Sequence, residues 1–205
     1  LGHRASLLPI GSNFPVRAAD RFELRSKYKI TSDALVLTLF GGGNNLVWAR
    51  RHIECMEEHL GKTGTPYILL LLGGVPHARL KLVGRCITPG YLSEAEISAH
   101  LQITDCFLMP NWSGLNARRG TLMAALEHGN PVIGTRGPTT EDFWRDLPGV
   151  LLASFEDESK FADYVLQLAS DPVLRRVLGD ANKNAFPARF GWPVIAEKLL
   201  EGFSS

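Results

Sequence analysis

Short apolar runs recur along this chain, and amphipathic stretches separate them. The runs are Ala34–Phe40, Tyr67–Leu72, Leu80–Val83, Cys106–Met109, Val132–Gly134 and Val150–Ala153. Each is close to continuously apolar rather than alternating, the mark of parallel strands covered on both faces. The stretches between them have helical spacing. Leu46–Leu60 carries Leu46, Val47, Ile53, Met56 and Leu60 near one face, and Ser93–Leu101 opens on a capping box, Ser93-x-x-Glu96. Leu122, Ala125 and Leu126 line a further helix, which Gly129 and Pro131 bring to an end. Strand–helix alternation of this kind predicts an α/β fold with a doubly wound, Rossmann-like parallel sheet.

The last third reads as helical. Phe161, Tyr164, Val165 and Leu168 share one face of Ser159–Leu168. Asp171-Pro172 then restarts a helix, with Asp as N-cap and Pro at the first helical position. Gly179 is expected to interrupt that helix, and Gly191-Trp192-Pro193 opens a final one over Val194–Phe203. The first thirty residues differ in texture. Pro9, Gly11, Ser12, Asn13 and Pro15 punctuate them, so residues 1–30 read as a linker entering a single domain over 31–205.

Composition narrows the class. The chain is 45% hydrophobic and 21% charged, enough apolar material for a real core in a globular protein. Its formal net charge of +1 argues against a nucleic-acid partner, so any basic patch must be local. Three cysteines, Cys55, Cys86 and Cys106, form no CxxC pair, which fits a reducing, cytoplasmic location. The longest apolar run, Tyr67–Leu72, is far shorter than the roughly 20 residues that span a bilayer. The sequence begins at Leu rather than Met and lacks a signal-peptide pattern, which predicts a processed, truncated or excised chain.

The chemistry concentrates in Cys106–Thr135. A buried strand leads through a polar loop into a short helix, and Arg118 and Arg119 fall in the expected first turn. Two arginines there oppose the positive end of the helix dipole and repel one another. An anion docked on the exposed N–H groups of that turn would relieve both penalties, so the arrangement predicts a phosphate site using backbone N–H groups near Ala117–Arg119. Thr121 caps the turn or holds a phosphate oxygen. Gly41-Gly42-Gly43-Asn44-Asn45 follows the first strand, and Gly42 and Gly43 either let backbone N–H groups approach a phosphate or simply make a tight turn. Neither a P-loop nor GxGxxG is present. Val83-Gly84-Arg85-Cys86, expected just after the third strand, offers backbone groups to a nucleobase edge or merely turns the chain. His128 reads as a complement to a helix C-terminus. No histidine shows metal-ligand spacing, and no nucleophile elbow or Ser/His/Asp arrangement is evident.

Four segments together resemble the C-terminal, donor-binding domain of a GT-B glycosyltransferase of the family-4 (glycosyl transferases group 1, retaining) type. They are Leu8–Asn13, Leu92–Pro110, the helix–Gly–x–Pro–Val stretch Leu122–Val132, and Phe190-Gly191-Trp192 through Leu200. The resemblance implies a nucleoside-diphosphate-sugar donor, no required metal or other cofactor, and transfer of a hexose-type sugar to an acceptor held by an N-terminal domain missing from this chain. The isolated chain would then be inactive, and any peripheral membrane contact would belong to the missing half. It also implies a diphosphate held by Gly42, Gly43, Ala117, Arg118, Arg119 and Thr121, a sugar by Gly114, Leu115 and Asn116, and a base by Gly84, Arg85 and Cys86. The pattern departs in two respects. The Arg and Lys usual beyond the first strand are not evident in GGGNNLVWARR, a charge for which Arg118 and Arg119 would substitute. Two glutamates eight positions apart are also usual in the family, and Asn116 and Ala124 stand at those places. A GT-B-like binding or scaffolding module without catalysis, and a GT-B sugar-nucleotide epimerase, are therefore the competing expectations.

Overall fold

The computed structural model describes residues 8–41, 45–74 and 82–204. Six strands form one parallel sheet: β1 Leu35–Phe40, β2 Tyr67–Leu72, β3 Arg85–Ile87, β4 Cys106–Met109, β5 Val132–Arg136 and β6 Val150–Ser154. Their order is β3-β2-β1-β4-β5-β6, and every neighbouring pair is parallel. Among the described residues seven α-helices accompany the sheet: α1 Arg21–Lys27, α2 Asn45–Thr63, α3 Glu94–Ile103, α4 Gly120–Glu127, α5 Glu158–Ser170, α6 Pro172–Phe190 and α7 Trp192–Ser204. The expected doubly wound α/β fold with a helical C-terminus is what the chain adopts.

Strand pleating sends alternate side chains to two cores. Val36, Leu70, Phe107 and Val132 meet α3, α4 and the end of α6, while Leu37, Leu69, Leu108 and Ile133 meet α2 and α5. Burying each such side chain contributes about 1.5–3 kcal/mol. The helix starts follow their caps. Ser93 and Glu96 form the reciprocal capping box on α3, and Asp171 accepts the Leu174 N–H at 2.8 Å at the start of α6.

The expected strand at Leu80–Val83 is displaced. Leu80 lies outside the described residues, and β3 begins only at Arg85, opposite Ile68. The buried carboxylate of Glu57 accepts the N–H groups of Val83 and Gly84 at 3.0 and 2.9 Å, which holds that backbone off the sheet. Gly179 does not interrupt α6 either. A methyl group there would overlap the carbonyl of Gly129, so this glycine serves the close approach of α6 to the turn after α4.

The entry segment is more than a linker. It carries α1, whose Arg21 and Arg25 reach Asp105 at 2.9 and 3.4 Å, just ahead of β4. Ahead of α1, the Ile10 N–H donates to the carbonyl of Ala117 at 3.0 Å, and Trp192 Nε1 donates to that of Ser12 at 2.9 Å. No helix among the described residues is long and apolar enough to cross a membrane.

Candidate functional site

Strand order reverses direction between β1 and β4, since the chain runs outward to β3 on one side and to β6 on the other. Crevices beyond the carboxyl ends of strands at such a switch point are where open α/β sheets take ligands. A cavity of ≈ 400 Å³ lies there. Leu39 and Phe40 at the end of β1 with Gly41 after it, and Leu108 and Met109 at the end of β4 with Pro110 and Asn111 after it, form its floor, while Phe14, Arg118, Arg119, Gly120 and Thr121 wall it.

The loop from Pro110 to Arg119 is cross-braced to the segment after β5. Asn111 and Thr135 exchange two hydrogen bonds, the Asn111 N–H to Thr135 Oγ1 at 2.8 Å and that hydroxyl to the Asn111 carbonyl at 2.7 Å. The Leu115 N–H donates to the Thr135 carbonyl at 2.9 Å, and Thr139 donates to the Ser113 carbonyl from both its N–H and its hydroxyl. Gly114, at φ +83°, packs against Gly137 and Thr140 so closely that any side chain there would overlap both. Glu141 accepts the Ala117 N–H and, at 2.7 Å, Trp144 Nε1. Trp144 in turn is fully buried and stacks on Phe190 at 5.6 Å, anchoring the short 3-10 turn Asp142–Asp146 to the end of α6.

That rigid frame carries the two arginines. α4 begins at Gly120, so Arg119 is its N-cap and Arg118 precedes it; the pair sits just ahead of the first turn rather than within it. The electrostatic conflict survives the shift, because both charges still face the positive end of the helix. No side chain caps α4. Arg119 is half-buried and donates from one terminal nitrogen to Ser113 Oγ at 2.9 Å; Ser113 Oγ donates onward to Asn111 Oδ1 at 2.7 Å. Its Nε is buried without a partner among the described residues. Burial, with the Arg118 charge beside it, pulls the Arg119 pKa below its ordinary value. An anion in the cavity would offset both the desolvation and the repulsion.

The structure gathers some of the expected site residues and scatters others. Arg118, Arg119 and Thr121 line the cavity; Thr121 is a helical residue and not the cap. Ala117 is fully buried, its N–H taken by Glu141 and its carbonyl by Ile10, so it has no donor for an anion. Leu115 belongs to the core, and Gly114 is a packing point. Asn116 is buried, donating from Nδ2 to Thr139 Oγ1 at 3.0 Å and accepting the Arg118 N–H at 3.1 Å. It orients the arginine loop from below. Gly84 precedes β3 and Arg85 and Cys86 begin it, on an edge strand separated by β2 from the β1 and β4 ends that floor the cavity. The Gly84 N–H goes to Glu57, Arg85 donates to the carbonyls of Tyr28 and Lys29, and burial pushes the Cys86 thiol up to about 11. Gly42 and Gly43 lie outside the described residues.

Sequence reading missed Phe14, Phe40, Asn111 and Glu141. Phe14 and Phe40 pair at 5.5 Å between ring centroids, one from the entry segment and one from the end of β1. A ring in a proline-bounded segment was the available signal for Phe14. Glu141 reads from sequence as an acid opening a helix, and only the tertiary fold brings it to Ala117. His128 does sit at the C-cap of α4, with Nδ1 on the Ala124 carbonyl and Nε2 on Ser98 Oγ, both at 2.8 Å.

Neither a protein-family model nor a curated protein sequence matches the chain. Solved structures do match. Sucrose-phosphate synthase from Thermosynechococcus elongatus superposes with a TM-score of 0.73 at 18% identity, over 97% of this chain and 52% of that one. The C-terminal domain of a glycosyl transferase group 1 family protein (LpcC) from Francisella tularensis gives 0.66 at 16% identity, over 87% of this chain and 96% of that domain. HepE from Anabaena, solved in complex with UDP and glucose, gives 0.69 at 15% identity, over 94% and 54%. The chain thus has the fold of a C-terminal GT-B domain, and it spans about half the length of the sucrose-phosphate synthase and HepE chains it matches.

Proposed function

We propose that this chain is the nucleoside-diphosphate-sugar-binding domain of a retaining glycosyltransferase, which acts on an acceptor when joined to an acceptor-binding domain. One observation carries the reading. Two guanidinium groups with no ion pair among the described residues, Arg118 and Arg119, meet the N-terminus of α4, which no side chain caps there, in a cavity at the topological switch of a GT-B-type sheet. Guanidinium forks and helix N–H groups suit phosphate oxygens, and Thr121 adds a hydroxyl on the same wall. Phe14 and Phe40 give the cavity an apolar side against which a ring can rest. The cradle would stabilise the charge that develops on a departing nucleoside diphosphate, without a metal. The free thiols of Cys55, Cys86 and Cys106 fit a cytoplasmic setting for such a domain.

Calorimetric titration with UDP, GDP and ADP tests the proposal and names the base. Micromolar binding of one diphosphate, lost on replacing both arginines, is the expected result. Absence of heat with all three leaves the second reading, a GT-B-like binding or scaffolding module without catalysis. Ala124 favours that second reading. It is a fully buried methyl where the family resemblance expects a ribose-holding glutamate, and Asn116, in place of the other glutamate, is committed to Thr139 and Arg118.

A further inference from the structure

At the amino ends of the strands, opposite the cavity described above, a second cleft of ≈ 760 Å³ opens between α1, the connection into β1 and α6. Arg21, Arg25, Lys29 and Arg175 line it, against the carboxylates of Asp33 and Asp105. An adjoining cleft shares Arg21, Asp105 and Arg175 and adds Arg176 and the carboxylate of Asp180. The inner cations are fixed in place. Arg25 donates to the carbonyls of Thr31 and Ala34, each at 2.8 Å, and Arg175 to those of Leu168 and Ala169. Asp105 is shared by Arg21 and Arg25 and also accepts the Val36 N–H at 2.9 Å, so one carboxylate serves two guanidinium groups. Lys29 and Arg176 form no ion pair among the described residues.

Like charges gathered in a concavity repel one another and focus the field on whatever anion enters. Here four cations, Arg21, Arg25, Lys29 and Arg175, face two carboxylates, Asp33 and Asp105, so the lining carries an excess of two positive charges. We propose that the cleft is a second ligand site, taking a small phosphate-bearing molecule at the edge of the sheet remote from the first cavity. Several charges around one hollow call for a ligand with more than one negative charge, and guanidinium forks match phosphate oxygens. The concave shape admits a small ligand in preference to a bilayer surface.

Inorganic pyrophosphate is the probe, titrated by calorimetry into the full chain carrying R118Q and R119Q, which silences the first cavity. A residual binding event is expected there. Adding Lys29→Gln weakens it about tenfold at an unchanged melting temperature, because that side chain forms no ion pair among the described residues, and Lys29→Glu, made separately, weakens it further. Two singles are used so that one folded variant suffices. No residual event, or an event indifferent to both substitutions, overturns the proposal. So does sedimentation with phosphatidic acid vesicles in the absence of pyrophosphate binding, which would make the cleft a membrane contact.

Discussion

Glu141 receives the backbone N–H of Ala117 with both carboxylate oxygens at 3.2 Å, across 24 positions of sequence. The same carboxylate holds Trp144 Nε1, so one side chain ties the loop ahead of α4 to the buried aromatic cluster at the end of α6. Glu141→Ala would leave both donors without their acceptor. Losing a charge-assisted pair costs about 1.5–3 kcal/mol, and we expect a fall of that size in urea-derived stability together with weaker nucleotide binding. Glu141→Gln keeps an amide oxygen for one donor and should lose roughly half as much. Equal stability of Glu141→Ala and the parent chain would show the brace to be idle.

Arg118 and Arg119 should not contribute alike. Arg118 is exposed, whereas Arg119 is half-buried and oriented by Ser113. Arg118→Ala is expected to weaken diphosphate binding about tenfold and to make it less salt-sensitive. Arg119→Ala should weaken it more. Arg119→Lys should recover only part of the loss, because a lysine cannot hold Ser113 and a phosphate in one plane. Calorimetry on the three variants checks the order, and full recovery by lysine would contradict it.

Two glycines separate site from scaffold. Gly114→Ala places a methyl group at φ +83° on top of Gly137, so the arginine loop must move, and both stability and nucleotide affinity should fall. Gly179→Ala forces α6 away from Gly129, on the far side of α4 from the arginines. It should cost about 1–3 kcal/mol of stability with affinity nearly unchanged. A parallel melting and binding series distinguishes the two.

Acid should weaken the fold through two histidines. Burial, the largest cause in each case, lowers the pKa of His100 and of His128, whose ring nitrogens already engage Tyr28 and Ser98. Both groups are therefore more acidic folded than unfolded. Their contribution is complete above the ordinary value of about 6.5 and is lost as pH falls through the lowered folded-state values. Between those limits each histidine adds at most about 1.4 kcal/mol per pH unit to the slope. Stability measured from pH 7.5 to 5 should decline, and His100→Gln should flatten the decline. A slope unaltered by that substitution would exclude His100 as a source.

Much of the fold was legible because apolar continuity and caps are local signals. Cys106–Met109 and Tyr67–Leu72 are strands with the bounds their apolar runs give, and the capping box at Ser93 starts α3 where its spacing requires. The failure at Leu80–Val83 has a long-range cause, the Glu57 carboxylate that intercepts Val83 and Gly84. At the candidate site, charge at a helix start pointed to Arg118 and Arg119. It could not reveal that Asn116 and Ala117 turn their polar groups toward Thr139 and Glu141, since those partners lie more than twenty positions away. Spacing along the chain identifies which groups are polar; only packing decides whom they face.

The bond from the Ile10 N–H to the Ala117 carbonyl gives the entry segment a mechanical role. Ala117 is the residue immediately before the two arginines, and Phe14, four residues after Ile10, is itself a wall of their cavity. A pull on this stretch of backbone arrives at the arginine loop before it reaches any strand. The segment is fastened at the site twice, by that backbone bond behind the arginines and by the Phe14 ring in the cavity wall.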